Sequence, residues 1–277
     1  MFRRSIRRLL GRPACQPFWE RLYHFALSGM NIGIDGRVGT SGERWVIDLV
    51  ARHLRLAHPG VVCDVGANVG EYTAELIARL GDGVKIYCFE PSEGAFAALS
   101  DRFAGRPGIE LCNFGLSDRE GTMVLYTNPV ESGLASLYHR RLAHVGKELH
   151  PGEPVRLRRL EDFCRERGIA RIGFLKLDVE GHELSVLRGG GRLLETNAID
   201  VIQFEFGGCN IDSRTYFRDF FELLNPRYTL YRVLRAGLAR IQTYRETSEL
   251  FTTTNYLAVS RTVSLPVARS VVGRRTS

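Results

Sequence analysis

Between residues 60 and 260 the chain alternates short apolar runs with longer stretches whose apolar positions recur every three or four residues. The short runs, rich in valine, isoleucine and aromatic residues, predict strands at 61–65, 84–89, 109–113, 172–178, 200–206, 228–234 and 254–260. The periodic stretches predict helices near 42–57, 70–80, 92–104, 161–168, 181–190 and 213–224. Thr40 and Glu43 are spaced as a capping box ahead of Trp45, Leu49 and Leu56, and Ser92 is a good N-cap after Pro91. Strands and helices in regular alternation, joined by short links, predict an α/β fold with a parallel sheet covered on both faces. Gly121–Tyr126 and Val155–Leu160 interrupt the rhythm and read as edge strands. The polar insertion between them holds Gly133, Ser136, His139, Arg140, Arg141 and His144 and is expected to form a lid or substrate loop. Residues 13–40 hold turn formers with scattered aromatics, among them Phe18, Trp19, Tyr23 and Phe25.

The first predicted strand leads into Asp64-Val65-Gly66-Ala67-Asn68-Val69-Gly70, followed by a helix carrying Leu76, Ile77 and Leu80. Two glycines four apart let the backbone turn tightly and approach a ligand without a Cβ in the way. The spacing is not the Gly-x-Gly-x-x-Gly of a dinucleotide site, and an aspartate at the strand tip disfavours a pyrophosphate. It suits a ligand bearing an ammonium and a sulfonium, as S-adenosylmethionine does. An ordinary strand-to-helix turn without a ligand fits the same seven residues. Glu90 ends the next strand, 20 residues beyond Gly70, where an acid accepts hydrogen bonds from ribose hydroxyls or stands as a plain exposed carboxylate.

Asn113 and Ser117-Asp118 follow the third strand, on the edge where a base would lie; Ser117 and Asp118 also suit a turn before Gly121. The densest polar cluster is Asp178-Val179-Glu180-Gly181-His182-Glu183 at the fourth strand's tip. Its acids can cap the following helix, take a proton from a hydroxyl, or hold a divalent cation such as magnesium. Glu205 adds a carboxylate at the next tip. Asn225-Pro226-Arg227-Tyr228 is only superficially like an amino-methylation motif, since its third residue is arginine and it precedes a late strand.

In this order Asp64–Gly70, Phe89-Glu90-Pro91, Asn113–Asp118 with Gly121, Leu160-Glu161-Asp162, Leu175–Glu183 with Val186–Gly189, and Glu205 resemble the FkbM family of S-adenosylmethionine-dependent methyltransferases. The resemblance covers residues 60–260 and implies a Rossmann-like class I methyltransferase fold. Its sheet would have seven strands, mostly parallel, with the final strand reversed. It further implies methyl transfer to a hydroxyl of a sugar, a glycan or a secondary metabolite. Carried over by position, Asp64, Gly66, Asn68 and Gly70 would shape the methionine end of the cofactor site. Glu90 would hold the ribose, and Asn113 and Ser117 would lie near adenine. Asp178, Glu180 and Glu183 would stand at the acceptor side.

Composition changes this picture little. The chain has 277 residues, 44% of them hydrophobic and 25% charged, which is ordinary for a soluble domain with a proper core. Nine arginines at the two ends, five in residues 1–12 and four in residues 261–277, outweigh the formal charge of +7 and leave about −2 on residues 13–260. The expected organisation is a basic arm and linker over 1–40, a methyltransferase domain over 41–260 and a basic tail over 261–277. No nucleic-acid partner is expected of such a body. Residues 1–12 set Phe2, Ile6, Leu9 and Leu10 against the arginines, as in a segment that rests on an anionic membrane or in a frayed end. The six cysteines form no metal spacing and read as core thiols in a reducing cytoplasm. No signal peptide or transmembrane run is visible. Two rivals remain at this level: a nicotinamide-dependent oxidoreductase and a non-catalytic binding module on the same fold.

Overall fold

The structure is a computed structural model that describes residues 10–33, 38–54, 60–81, 83–128 and 130–265. Residues 1–9, with Phe2, Ile6 and Leu9 of the expected membrane-resting segment, and residues 266–277 of the tail lie outside the described residues. In chain order the first strands are β1 (Gly60–Val65), β2 (Val84–Phe89), β3 (Ile109–Cys112), β4 (Gly115–Ser117), β5 (Gly121–Thr127) and β6 (His150–Arg159). They are followed by β7 (Ile172–Leu177), β8 (Ile199–Phe206), β9 (Tyr228–Leu234), β10 (Gly237–Ile241) and β11 (Thr254–Ser260). The helices are α1 (Gln16–Gly29), α2 (Glu43–Leu54), α3 (Glu71–Leu80), α4 (Glu93–Phe103) and α5 (Leu160–Glu166). After them come α6 (Glu183–Gly189), α7 (Gly191–Glu195), α8 (Cys209–Ser213) and α9 (Phe217–Leu224).

Eight strands form one sheet in the order β10-β9-β11-β8-β7-β1-β2-β3, and β4, β6 and β5 form a second, smaller sheet. Strands β3, β2, β1, β7 and β8 run parallel, while β11 is antiparallel to both β8 and β9. The expected reversed final strand is therefore β11. The sheet has one strand more than the seven expected, because β10 folds back on β9 through Arg235-Ala236, a hairpin turn without an Asn-Gly or Asp-Gly signal. The chain leaves β1 toward β2 and β3, then returns to build β7 and β8 on the other side of β1. Such a reversal opens a crevice at the carboxyl ends of β1 and β7.

Alternation along the strands divides the core between the two faces. Cys63, Val65, Tyr87 and Phe89 pack with Leu160, Phe163, Val186 and Phe220 on one side. Val62, Ile86, Cys88, Phe174 and Val201 pack with Val46, Val50, Leu76 and Leu99 on the other. All six cysteines are free and all but Cys15 are buried, as expected of core thiols.

Three elements depart from the sequence reading. Residues 16–29, expected to be turn-rich, form α1, with Pro17 in the first turn, where its missing N–H is tolerated. The helix expected near 213–224 begins only at Phe217, as α9, because Arg214 in the left-handed conformation ends the separate short helix α8 before it. Ser117, read with Asp118 as suiting a turn, instead ends β4, which pairs with β6.

Gly70 holds the turn after β1 to the α3–α4 side of the sheet. Its φ is +81°, and a Cβ there would sit 2.4 Å from the Phe103 ring and 2.7 Å from Leu99 Cδ1. Gly70→Ala combines a left-handed strain with overpacking, so it should destabilise the fold by about 2–4 kcal/mol. Thermal denaturation checks this, and an unchanged melting temperature would contradict the packing described.

Candidate active site

The carboxyl ends of β1, β2, β7 and β8 open onto a cavity of about 420 Å³, a size suited to a small-molecule ligand. The turn after β1 forms one wall. Gly66, Asn68 and Gly70 have φ of +82°, +46° and +81°, and the Gly66 and Ala67 N–H groups both donate to Phe89 O at 2.9 and 3.0 Å. A Cβ on Gly66 would lie 1.8 Å from Asp178 O, so only glycine lets the tips of β1 and β7 approach this closely.

Glu90, at the tip of β2, lines the cavity and is 7% exposed. Its carboxylate accepts hydrogen bonds from Asn68 N and Ser92 N, both at 2.8 Å, which fixes its orientation. Burial pushes it up to about 7, against the opposing effect of those two donors. Around it the lining is apolar, with Pro91, Ala95 and Leu116.

Beneath the opposite end lies a buried polar row. Asp64 on β1 stands beside Lys176 on β7, which stands beside Gln203 on β8, each pair in register. Lys176 Nζ donates to Asp178 Oδ2 at 2.9 Å and sits 4.5 Å from the centre of the Tyr72 ring. Burial alone would lower this ammonium, but the carboxylates of Asp178, Asp64 and Glu43 hold it above its ordinary value. Gln203 accepts from Tyr72 Oη at 2.9 Å and donates to Glu43 Oε1 at 2.9 Å and Asn255 Oδ1 at 3.0 Å. Glu43, read from the sequence as half of a capping box, is thus a buried member of this row, and Ser41 Oγ donates to its other oxygen.

The segment after β7 is held by its own last acid. Glu183 is fully buried and accepts from Val179 N at 2.9 Å and Gly181 N at 3.0 Å. It thereby stabilises the tight bend in which Glu180 adopts a φ of +50°. The insertion between β5 and β6 is fastened to the same bend. Ser136 Oγ donates to Glu180 O at 2.8 Å, Arg140 pairs with the Glu180 carboxylate, and Tyr138 Oη lies 3.0 Å from His182 Nδ1. The other nitrogen of His182 lies 2.9 Å from Ser117 Oγ. Burial pushes His182 down to about 4, so the ring is neutral. Ser132, Gly133 and Ser136 of this insertion line the cavity as a tethered wall.

Of the residues expected at the cofactor, Gly66, Asn68 and Glu90 line the cavity. The other four do not. Asp64 is fully buried and accepts from Thr73 Oγ1 at 2.6 Å, and Gly70 packs on Phe103 and Leu99. Asn113 Nδ2 donates to Glu90 O at 3.0 Å and Pro91 O at 3.3 Å, steadying the tip of β2, and Ser117 bonds His182 beneath β4. Of the acids expected at the acceptor, Asp178 and Glu180 line the cavity, whereas Glu183 lies behind the bend. Glu43, Tyr72, Lys176 and Asn255 line it without having been assigned a role there from the sequence. The available signal was a polar residue inside an otherwise apolar strand, such as Lys176 or Gln203, since a buried polar group must have a partner.

Glu205, at the end of β8, also faces the cavity. No hydrogen bond to its carboxylate is formed among the described residues, and burial followed by repulsion from Asp178 and Glu180 holds it well above the usual range. Four carboxylates, those of Glu43, Asp178, Glu180 and Glu205, therefore meet one ammonium, that of Lys176, among the described lining residues. Burial makes Glu180, pushed up to about 8, and Glu205 hold their protons, and a ligand that brings its own positive charge lets them ionise, whereas a pyrophosphate would not. Among the described residues no group of three or more His, Cys, Asp or Glu is disposed to hold a metal ion. Nor is any helix among them long and apolar enough to cross a membrane.

The sequence model of the family described as "Methyltransferase FkbM domain" matches residues 64–233. The 31-O-demethyl-FK506 methyltransferase FkbM of Streptomyces tacrolimicus is 36% identical over 170 residues, covering 50% of this chain and 62% of that one. The 2-O-methyltransferase NoeI of Sinorhizobium fredii is 27% identical, covering 48% of this chain and 58% of its own length. The hexuronic acid methyltransferase AglP of Haloferax volcanii is 26% identical, covering 59% and 60%. The chain thus spans about three-fifths of the length of the curated relatives it matches.

The bend at Glu183 has a pH signature. Burial pushes this carboxyl up to about 7 from 4.5, so the folded state holds its proton through a range in which the unfolded chain releases it. Its stabilising contribution is full below about pH 4.5 and is lost as pH rises through about 7. Glu183→Gln should therefore cost more stability at pH 5 than at pH 8, as read by urea denaturation. A penalty that grows with pH would show a carboxylate held ionised instead.

Proposed function

The chain belongs to the methyltransferase FkbM domain family, and on that premise we propose that it transfers a methyl group from S-adenosylmethionine to a hydroxyl oxygen. The observation that carries this reading is the pairing, in one cavity, of a ribose-type acid with a carboxylate-lined far end. Glu90 has both oxygens oriented by backbone donors and remaining lone pairs for ribose hydroxyls. The Gly66 turn leaves room beside the tip of β7, and the excess of acids at that end attracts a cationic group. When bound, the cofactor supplies a methyl group on a sulfonium, activated for in-line displacement by an acceptor oxygen.

The rest of the work is done by the chain's own side chains. Sugar and polyketide hydroxyls are weak nucleophiles at neutral pH, so a base at the acceptor end raises the rate. Glu205 is suited to take that proton: it faces the cavity and has no hydrogen-bond partner among the described residues, and a cationic cofactor beside it would release the proton that burial makes it hold. Asp178 is held by Lys176 on one oxygen, so its other oxygen can orient the hydroxyl. Glu180 is occupied by Arg140 and shapes the wall. The acceptor class we favour is a hydroxyl of a sugar, a uronic acid or a hydroxylated secondary metabolite. Support for it comes from the O-methyltransferase and hexuronic acid methyltransferase names of the relatives.

Calorimetry with S-adenosylmethionine and a methyl-transfer screen over sugar, uronic acid and polyketide alcohols test this reading. Glu205→Gln should lower turnover by roughly a hundredfold while leaving cofactor affinity nearly unchanged. Glu90→Ala should weaken cofactor binding by about tenfold or more. Failure to bind the cofactor at millimolar concentration would overturn the proposal, and full turnover in Glu205→Gln would remove Glu205 from the mechanism. These carboxylates are also hard oxygen ligands, so adding magnesium back after chelation measures whether a divalent cation shares in activating the hydroxyl.

A further inference from the structure

Helix α1 is amphipathic, yet its apolar side meets solvent. Phe18, Leu22 and Phe25 fall on one face at spacings of four and three, opposite Glu20 and His24. Phe18 is 59% exposed, Leu22 43% and Phe25 76%, and Leu27 is the one buried side chain of the helix. Leu10, just before the helix, is also exposed. A cluster of large exposed apolar side chains on one helix face marks a surface that meets another phase or molecule.

The base of the helix is fixed, so this face is held in a defined place. Asn31 Nδ2 donates to Ser41 O at 2.8 Å and Val233 O at 3.1 Å, Gly33 N donates to Thr253 O at 3.0 Å, and Arg232 Nε donates to Met30 O at 3.0 Å. Val233 is near the end of β9, and Thr253 precedes β11 opposite the end of β8. Helix α1 therefore projects from the edge of the sheet on which the cavity opens.

Charge selects the occupant. The chain before α1 carries arginines at positions 3, 4, 7, 8 and 12 with no acid among residues 1–12, and Arg12 and Arg21 are exposed. An apolar, aromatic face beside a run of arginines matches the interface of a bilayer with anionic headgroups. We propose that the exposed face of α1 docks this protein on an anionic membrane with its cavity edge nearby, drawn there by the positive charge that the sequence carries ahead of the helix. The inference is independent of which hydroxyl is methylated.

The test is co-sedimentation of the full chain with vesicles of phosphatidylcholine, with and without phosphatidylglycerol. Binding should be at least about tenfold tighter to the anionic vesicles and should weaken with added salt. The double variant Phe18→Ser/Phe25→Ser should lower partitioning by roughly tenfold or more, with far-UV circular dichroism and melting temperature unchanged. Absence of binding to anionic vesicles, or binding indifferent to the double substitution, would overturn the proposal. So would a concentration-dependent dimer that the substitutions dissolve, which would assign the face to a second copy. A clear fall in melting temperature in the double variant would also overturn it, by showing that the chain covers this face itself.

Discussion

A buried ammonium is the constraint around which the cavity end of the sheet is built. Lys176 points from near the end of the apolar strand β7 into the layer beneath α2 and α3, where an isolated charge would be strongly unfavourable. Its neighbours compensate for it: Asp178 by direct hydrogen bond, Asp64 from the adjacent strand, Glu43 from α2, and the face of Tyr72 from α3. The requirement is mutual, since Asp64 and Glu43 are themselves buried beside it. The row fixes the relative positions of β1, β7, α2 and α3, the elements that bound the cavity. It also leaves the Asp178 carboxylate half engaged and 40% exposed, at the boundary between scaffold and site.

The insertion between β5 and β6 uses the same principle on the other side of the cavity. Ser136, Tyr138 and Arg140 each engage the Glu180–His182 bend, and neutral His182 carries the connection to Ser117 on β4. Small changes in this segment would therefore be felt at the tip of β7. A wall tied at three points is suited to shaping an acceptor, because each contact limits the freedom that binding would otherwise have to remove.

The same bend shows why acids clustered near a helix start have to be sorted by burial. Glu183, Glu180 and Asp178 lie within six residues, but Glu183 serves backbone N–H groups, Glu180 serves an arginine, and Asp178 reaches both a lysine and the cavity. The cavity acid with no hydrogen-bond partner among the described residues, Glu205, comes from another strand.

What the sequence by itself determined is local. Apolar runs and helical periods located β1, β2, β3, β7, β8, β9 and β11 within a residue or two, because each is a buried strand with a clear hydrophobic pattern. The Asp64–Gly70 turn and Glu90 were legible because a close backbone approach demands glycine and a strand-tip acid stands out. Helix α1 was hidden by flanking prolines and glycines, and β10 by a turn without the usual residues. Tertiary structure alone decided which polar residues face the cavity and which support it. Asp64, Asn113, Ser117 and Glu183 belong to the right motifs but direct their hydrogen bonds to Thr73, the Glu90 carbonyl, His182 and, for Glu183, its own bend. Glu43, Tyr72 and Gln203 reach the site from distant positions because strand register and helix packing bring them there, and neither of those is written in any one segment.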